Sequence, residues 1–210
     1  MSTIPFEMLL AFDTSSTVCT AALFDGSGRC VGCADEEIGR GHAERLVPMI
    51  AELLQGRSAD HILVGVGPGS FTGIRVGIAA AHGLAIGWGA EIRGMSSLGL
   101  LAVGAASNAD VAAAVTGGHG ELFVQQFAGD TLEPSTSVAN APPAAAARLI
   151  SAPIVVGSGA RQLVDARGWG EAREVRISAV NALQLPSALQ NLDPKPIYAR
   201  APDARVPEVA

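Results

Sequence analysis

The stretch that most constrains the fold is Val66-Gly-Pro-Gly-Ser-Phe-Thr-Gly-Ile-Arg75. The apolar run Ile62–Val66 before it is too short for a helix and is bounded by glycine-rich sequence, which predicts a buried strand. The turn then delivers the chain into a helix ending near Trp88. Strand, tight turn and helix in succession form the unit from which α/β layers are built. Upstream, alternating apolar and polar residues predict three strands, Met8–Asp13, Thr17–Phe24 and Arg29–Glu36, turning at Ser15-Ser16 and at Asp25-Gly-Ser-Gly28. A helix from His42 to about Leu54 follows, with Leu46, Met49, Ile50, Leu53 and Leu54 at three- and four-residue spacing and Pro48 expected to bend or divide it. A strand over Ala90–Met95 and a helix over Ser97–Ala106, capped by Ser96 or Ser97, complete a βββαβαβα series.

The texture then changes. Val111–Thr116 and Leu122–Phe127 read as strands, Thr131–Pro143 as a polar connection, Ala144–Ile150 as a helix, Ile154–Val156 as a strand and Ala160–Ala166 as a helix. These divisions predict a first lobe over 1–108, a smaller second lobe over 109–193 and a proline-studded segment over 194–210 that packs back on the first lobe. No repeat of fixed period is visible.

Composition limits the function classes. The 210 residues are 49% hydrophobic, with a mean hydropathy of +0.33, enough to bury a sizeable core. With 14 basic against 20 acidic residues the net charge is −6, and Lys195 is the only lysine. A chain that grips nucleic acid by its own phosphate contacts shows the opposite balance, so any tRNA contact is expected through a complex. No apolar run approaches the ~18 residues that span a bilayer, and no basic, then apolar leader opens the chain, so no membrane association and a cytoplasmic location are expected.

Several motifs could carry chemistry. Gly67 and Gly69 lead into a helix N-terminus, where free amides favour an anion, although there is no Gly-Lys-Ser/Thr and the glycines miss the GxGxxG spacing by one residue. Asp13-Thr14-Ser15-Ser16 could join them at a metal–phosphate site or simply satisfy turn amides. Asp13, Gly67 and Gly69 are therefore the cofactor-binding candidates. No two of His42, His61, His82 and His119 stand at a helical metal-pair spacing, so neither a metal site nor a catalytic set is assigned. Cys19, Cys30 and Cys33 lie close together in what reads as strand. Positions 30 and 33 of an extended segment point to opposite faces, which favours structural cysteines over a redox or zinc pair.

The helix after the glycine turn is unusual. Gly73, Gly77, Gly83 and Gly87 stand among Ala, Ile, Val and Leu, and each interior glycine costs up to about 1 kcal/mol relative to alanine. Close packing inside the chain or a subunit interface would each offset that cost, and the pattern alone leaves both open.

Four blocks together carry a resemblance: Ala11-Phe-Asp-Thr-Ser-Ser16, Gly41-His-Ala-Glu-Arg-Leu-Val-Pro48, Gly67-Pro-Gly-Ser-Phe-Thr-Gly-Ile-Arg-Val-Gly77 and Pro196-Ile-Tyr-Ala-Arg-Ala-Pro-Asp203. In this order the chain resembles the bacterial TsaB (YeaZ) family. The resemblance implies an α/β fold of two lobes, the actin/Hsp70-like (ASKHA, ribonuclease H-like) fold. It also implies a non-catalytic subunit in tRNA threonylcarbamoyladenosine synthesis that pairs with the transferase TsaD, is joined by TsaE, and forms a homodimer when the partner is absent. The family pairs through its first two helices, which would place Leu46, Ile50, Leu53, Ile74, Ile78 and Ala81 in the partner interface. Ser97 and Leu101 stand at or near the positions of the two metal-binding histidines of TsaD-like relatives, which argues against transferase and metalloprotease activity. Where many relatives carry Asp-Ala-Arg before Gly-Glu, this chain has Thr116-Gly-Gly-His-Gly-Glu121. No cofactor is implied beyond ATP or ADP at the subunit boundary. The alternative reading is a nucleotide-binding ATPase or phosphotransferase of the same fold, using Asp13, the Gly67–Gly73 loop and Gly157-Ser-Gly159.

Overall fold

The structure is a computed structural model that describes residues 6–197. Its first sheet contains β1 (Met8–Asp13), β2 (Val18–Asp25), β3 (Cys30–Glu37), β4 (His61–Gly65) and β5 (Glu91–Met95), in the order β3-β2-β1-β4-β5. The meander strands are antiparallel, whereas β4 runs parallel to β1 and β5 parallel to β4. Strand β1 is central and buried on both faces over Leu9–Asp13, while the edge strand β3 alternates half-buried and exposed residues.

The second sheet contains β6 (Val111–Thr116), β7 (Leu122–Phe127), β8 (Ala139–Ala141), β9 (Ile154–Val156) and β10 (Glu171–Arg173), in the order β10-β9-β6-β7-β8. β6, β7 and β8 are antiparallel neighbours, and β9 and β10 continue the sheet in parallel. Strand for strand this is the topology of the first sheet. The chain thus carries a structural repeat that fixed-period inspection of the sequence does not reveal, because the two copies differ in element length. Two such α/β units are the expected ASKHA architecture.

Helices occupy three layers. α1 (His42–Leu54) and α2 (Phe71–Trp88) cover the outer face of the first sheet, where Leu10, Phe12, Leu23, Ile62 and Val64 meet Leu46, Met49, Ile50, Ile74 and Ile78. α1 is one helix with Pro48 inside it, undivided. α3 (Ser97–Gly104), capped by the Ser96 hydroxyl, is buried between the sheets, where Leu98 and Leu101 meet Leu9, Ala11, Val111 and Phe127. α4 (Pro143–Leu149) and α5 (Ala160–Arg167) cover the far face of the second sheet.

Strands β8 and β10 fall in stretches without a periodic signal. So do a 3₁₀ helix, Ala179–Gln184, and α6 (Ser187–Gln190). The 3₁₀ helix packs on the meander strands and α6 on β5, so 179–190 lie against the first sheet although the sequence groups them with the second lobe. Asp35 fixes this return, since its carboxylate accepts from the Thr20 and Ser178 hydroxyls, and the Ala179 N–H donates to Thr20 Oγ1. Farther on, the Ile197 N–H donates to the Val66 carbonyl at 2.9 Å, which brings the start of the C-terminal segment onto the first sheet. The rest of that segment, including most of the Pro196–Asp203 block, lies outside the described residues.

Candidate functional site

At the C-terminal end of β1 the three cofactor-binding candidates come together, but they close on the chain's own atoms. Asp13 is fully buried, and its carboxylate accepts from the Ser15 N–H at 2.6 Å and the Ser97 hydroxyl at 2.5 Å. The Gly67 N–H in turn donates to Ser97 Oγ at 3.0 Å. The Ser70 N–H donates to the Ser15 carbonyl, the Thr14 hydroxyl donates to the Gly73 carbonyl, and the first-turn amide of Gly73 donates to the Ser70 hydroxyl.

The glycines follow from this closure. A Cβ on Gly65 would collide with the Asp13 carboxylate, on Gly69 with the Ser15 carbonyl, and on Gly73 with the Thr14 carbonyl. The loop is a place where backbones approach closely rather than an open anion cradle. Asp13, Gly67 and Gly69 are corrected accordingly: their polar groups hold the β1 turn, the loop and α3 together, and Asp13 offers no exposed oxygen to a metal–phosphate. Ser97 is spent in this network, and Leu101 is core.

The six expected interface residues also move. Leu46, Ile50, Ile74, Ile78 and Ala81 are buried against the first sheet, and the half-buried Leu53 packs on the same cluster. Intramolecular core accounts for all of them. An amphipathic helix turns its apolar stripe to its own sheet first, so the strongest periodic positions are those a partner cannot reach.

Apart from Gly83 and Gly87, sequence reasoning missed the outer face of the same helices, which pack side by side. Val47 is 51% exposed and Ile86 84%, and Ala51, Ala79, Gly83 and Gly87 are exposed around them. At the head of α2, Phe71 is 65% exposed and carries the Arg75 guanidinium 3.2 Å from its ring centroid. A Cβ on Gly83 or Gly87 would meet nothing within 4 Å. Packing inside the chain therefore explains Gly73 and Gly77 but not the second glycine pair. The available signal was the run Ala79, Gly83, Gly87 at four-residue intervals, outside the main apolar stripe. On α1 the face is bounded by Arg45, which bridges Glu36 of β3 and Glu52 and holds both carboxyls below their usual range.

A cleft of about 270 Å³ opens where the two sheets diverge, lined by Ser16, Thr17, Ser158, Arg161, Arg173 and Arg176 among others. The Arg173 guanidinium bonds Glu171 at 2.8 Å and holds its carboxyl low, and Arg176 pairs with Glu37 at 2.9 Å. The Ser158 hydroxyl accepts from the Thr116 N–H. Of the other turn residues in Thr116–Glu121, His119 adopts a φ of 59° and Glu121 accepts from the Asn140 amide.

The family model described as tRNA N6-adenosine threonylcarbamoyltransferase, TsaD, matches residues 29–159, more than half of the chain. The tRNA threonylcarbamoyladenosine biosynthesis protein TsaB of Escherichia coli (strain K12) is 37% identical over 131 residues, covering 58% of this chain and 55% of that protein. YeaZ from Pseudomonas aeruginosa superposes with a TM-score of 0.77 at 27% identity, covering 91% of this chain and 99% of the other. The chain belongs to the TsaB/YeaZ family. The tRNA threonylcarbamoyladenosine biosynthesis protein TsaB of Haemophilus influenzae (strain ATCC 51907 / DSM 11121 / KW20 / Rd) is 39% identical over 100 residues, covering 45% of this chain and 41% of that protein. The matched region thus spans about half the length of these TsaB relatives. Among the described residues no helix is long and apolar enough to cross a membrane.

Proposed function

We propose that this TsaB/YeaZ member is a non-catalytic pairing subunit in the synthesis of threonylcarbamoyladenosine in tRNA. It docks on a TsaD-type transferase in the cytoplasm, TsaE joins the pair, and tRNA is reached through the complex. The observation that carries this reading is the exposed apolar strip around Val47 and Ile86, with small residues at Ala79, Gly83 and Gly87 that let a partner backbone approach. The names of the TsaB relatives and the TsaD family model support the pathway. The hydroxyl and alkyl groups of Ser97 and Leu101, which cannot stand in for imidazole ligands, support the non-catalytic role. Self-pairing through the same strip is the expected state when the transferase is absent.

Co-expression with the transferase of the same organism tests the reading. Val47→Asp and Ile86→Asp should each weaken pairing by 10-fold or more, on the order of 2 kcal/mol for a charge placed in an apolar contact, and leave the urea unfolding midpoint of the free chain in place. Ile78→Asp, which buries the charge in the chain's own core, should unfold it instead. Pairing that survives both surface variants, or tRNA modification that proceeds at full rate without this chain, would overturn the proposal.

A second reading, nucleotide binding, is favoured by the arginine-lined cleft rather than by the closed Asp13 loop. Calorimetric titration with ATP or ADP and magnesium decides it. Heat of binding lost in Arg161→Ala would support the reading, and its absence in the wild-type chain would remove it.

A further inference from the structure

Cys30 and Cys33 would point to opposite faces of a regular strand, but β3 is not regular there. Its register runs Ala22↔Cys33, Leu23↔Gly32 and Phe24↔Cys30, which leaves Val31 as a bulged extra residue. Residues opposite each other on neighbouring strands share a face, and Ala22 and Phe24, two apart on β2, both point into the cluster between the sheets. Cys30 and Cys33 therefore stand side by side on that same face. Burial agrees: Cys30 packs on the cluster between the sheets, whereas Ala34 packs on the α1 side and a Cβ on Gly32 would meet Leu53. The bulge shortens the pair's separation from three strand steps, roughly 10 Å, to about two, roughly 6.6 Å. That falls within the range of roughly 4.4–6.8 Å between Cα atoms that a disulfide bridges.

We infer that Cys30 and Cys33 form a reversible dithiol–disulfide pair on the exposed edge of the first sheet, oxidised by thiol–disulfide exchange with a low-molecular-weight disulfide. Cys33 is exposed and Cys30 half-buried, so Cys33 is the entry point and Cys30 the resolving thiol. Cys33 loses its proton, attacks one oxidant sulfur and forms a mixed disulfide, while the oxidant's S–S bond breaks and one thiol leaves with a proton. Cys30 then loses its proton and attacks Cys33 Sγ, forming the internal bond and expelling the second thiol. The protein gives up two electrons and two protons, and the oxidant becomes two thiols.

Burial first, and the neighbouring Cys30 sulfur second, push the Cys33 thiol up. The first exchange is then slow at neutral pH, and proximity makes the second fast. The pair faces the return of the chain: Asp35, next on the same face of β3, takes the Ser178 hydroxyl at 2.8 Å, so a bridge at 30–33 sits beside the bond that holds 178–184 on the first sheet. Cys19 is fully buried, with its sulfur 4.0 Å from the Met49 sulfur, and serves as an internal control.

The experiment uses the native full chain and oxidised glutathione, followed by blocking of free thiols and trypsin digestion. Cleavage after Arg29 and Arg40 releases one peptide holding both Cys30 and Cys33, separate from Cys19. The expected result is that this peptide loses two hydrogens, carries no lasting glutathione, and recovers its mass with dithiothreitol. In Cys30→Ser the glutathione adduct should persist on Cys33, and in the exposed-site variant Cys33→Ser the internal bridge should be lost. A wild-type peptide that keeps glutathione on either sulfur without losing hydrogens, or that stays fully reduced, would overturn the inference.

Discussion

The two halves of the molecule share one strand order and differ in what their helices do. In the first half, α1 and α2 have 13 and 18 residues, and in the second, α4 and α5 have 7 and 8. Short helices suffice to cover strands of three residues such as β8 and β9. Those of the first half cover their sheet and leave an outer face with apolar residues to spare. The strand-to-helix loops differ in the same direction. Gly67-Pro-Gly69 closes over the buried turn at Thr14-Ser15, whereas Gly157-Ser-Gly159 meets β6 beside the mostly exposed turn 116–121. Topology fixes where a loop can be, and the side chains at the end of the central strand decide whether it is sealed.

The sharpest way to break this comparison is to add one methyl group to equivalent loops. In Gly69→Ala the new Cβ collides with backbone, the Ser15 carbonyl, and cannot be accommodated by a rotamer change. A loss of about 3 kcal/mol is expected from denaturant unfolding. In Gly159→Ala the nearest atom, at 2.7 Å, is the end of the flexible Leu122 side chain, with Ala114 atoms at 3.3 Å, so the loss should be about 1 kcal/mol. Equal losses would mean that the two loops are sealed alike.

Cys19 gives the first half a pH dependence. Burial, followed by the Glu36 charge, pushes its thiol from 9.0 up to about 11. Between those values the unfolded chain releases a proton that the folded chain keeps, so this contribution is intact below pH 9 and falls as pH rises through the window. About 2 kcal/mol should be lost by the top of it. The decline should be absent from the stability–pH curve of Cys19→Ala, measured by chemical denaturation at each pH. The hydroxyls sharpen the contrast further. Ser97→Ala strips Gly67 N–H and the Asp13 carboxylate of a buried partner and should cost about 1–3 kcal/mol, whereas Ser158→Ala acts at an exposed site and should cost under about 1 kcal/mol.

Much of this was legible in the sequence because the signals are local. The meander, both long helices, the N-cap at Ser96 and the strands Val111–Thr116, Leu122–Phe127 and Ile154–Val156 follow from alternation, periodicity and capping. Strands β8 and β10 were not legible, because three residues hold no periodic pattern and the sheet beside them decides their state. At the site, the gathering of Asp13 and the glycine loop could be read, but not its closure, since Ser97 lies 84 residues from Asp13. Periodicity pointed at Leu46 and Ile78 because it registers burial, and burial by the chain's own sheet looks the same in a sequence as burial by a partner. Only Val31, one extra residue in a strand, reversed the faces expected of the cysteines, and alternation statistics carry no trace of it.

The smallest effect separates those two kinds of burial. Interior glycines are retained against a cost of up to about 1 kcal/mol each, so a glycine that nothing in the chain touches should be replaceable with a gain in stability. Gly83→Ala and Gly87→Ala should each raise the unfolding free energy of the isolated chain by about 0.5–1 kcal/mol, measured by urea denaturation. Gly77→Ala, whose Cβ would stand 2.6 Å from Thr14 Oγ1, should lower it. If the surface pair stabilises the free chain yet weakens its pairing with the transferase, the cost of those glycines is offset by a partner's backbone. If pairing is unchanged, the contact lies on the α1 side of the strip around Val47, and α2 contributes only Ile86.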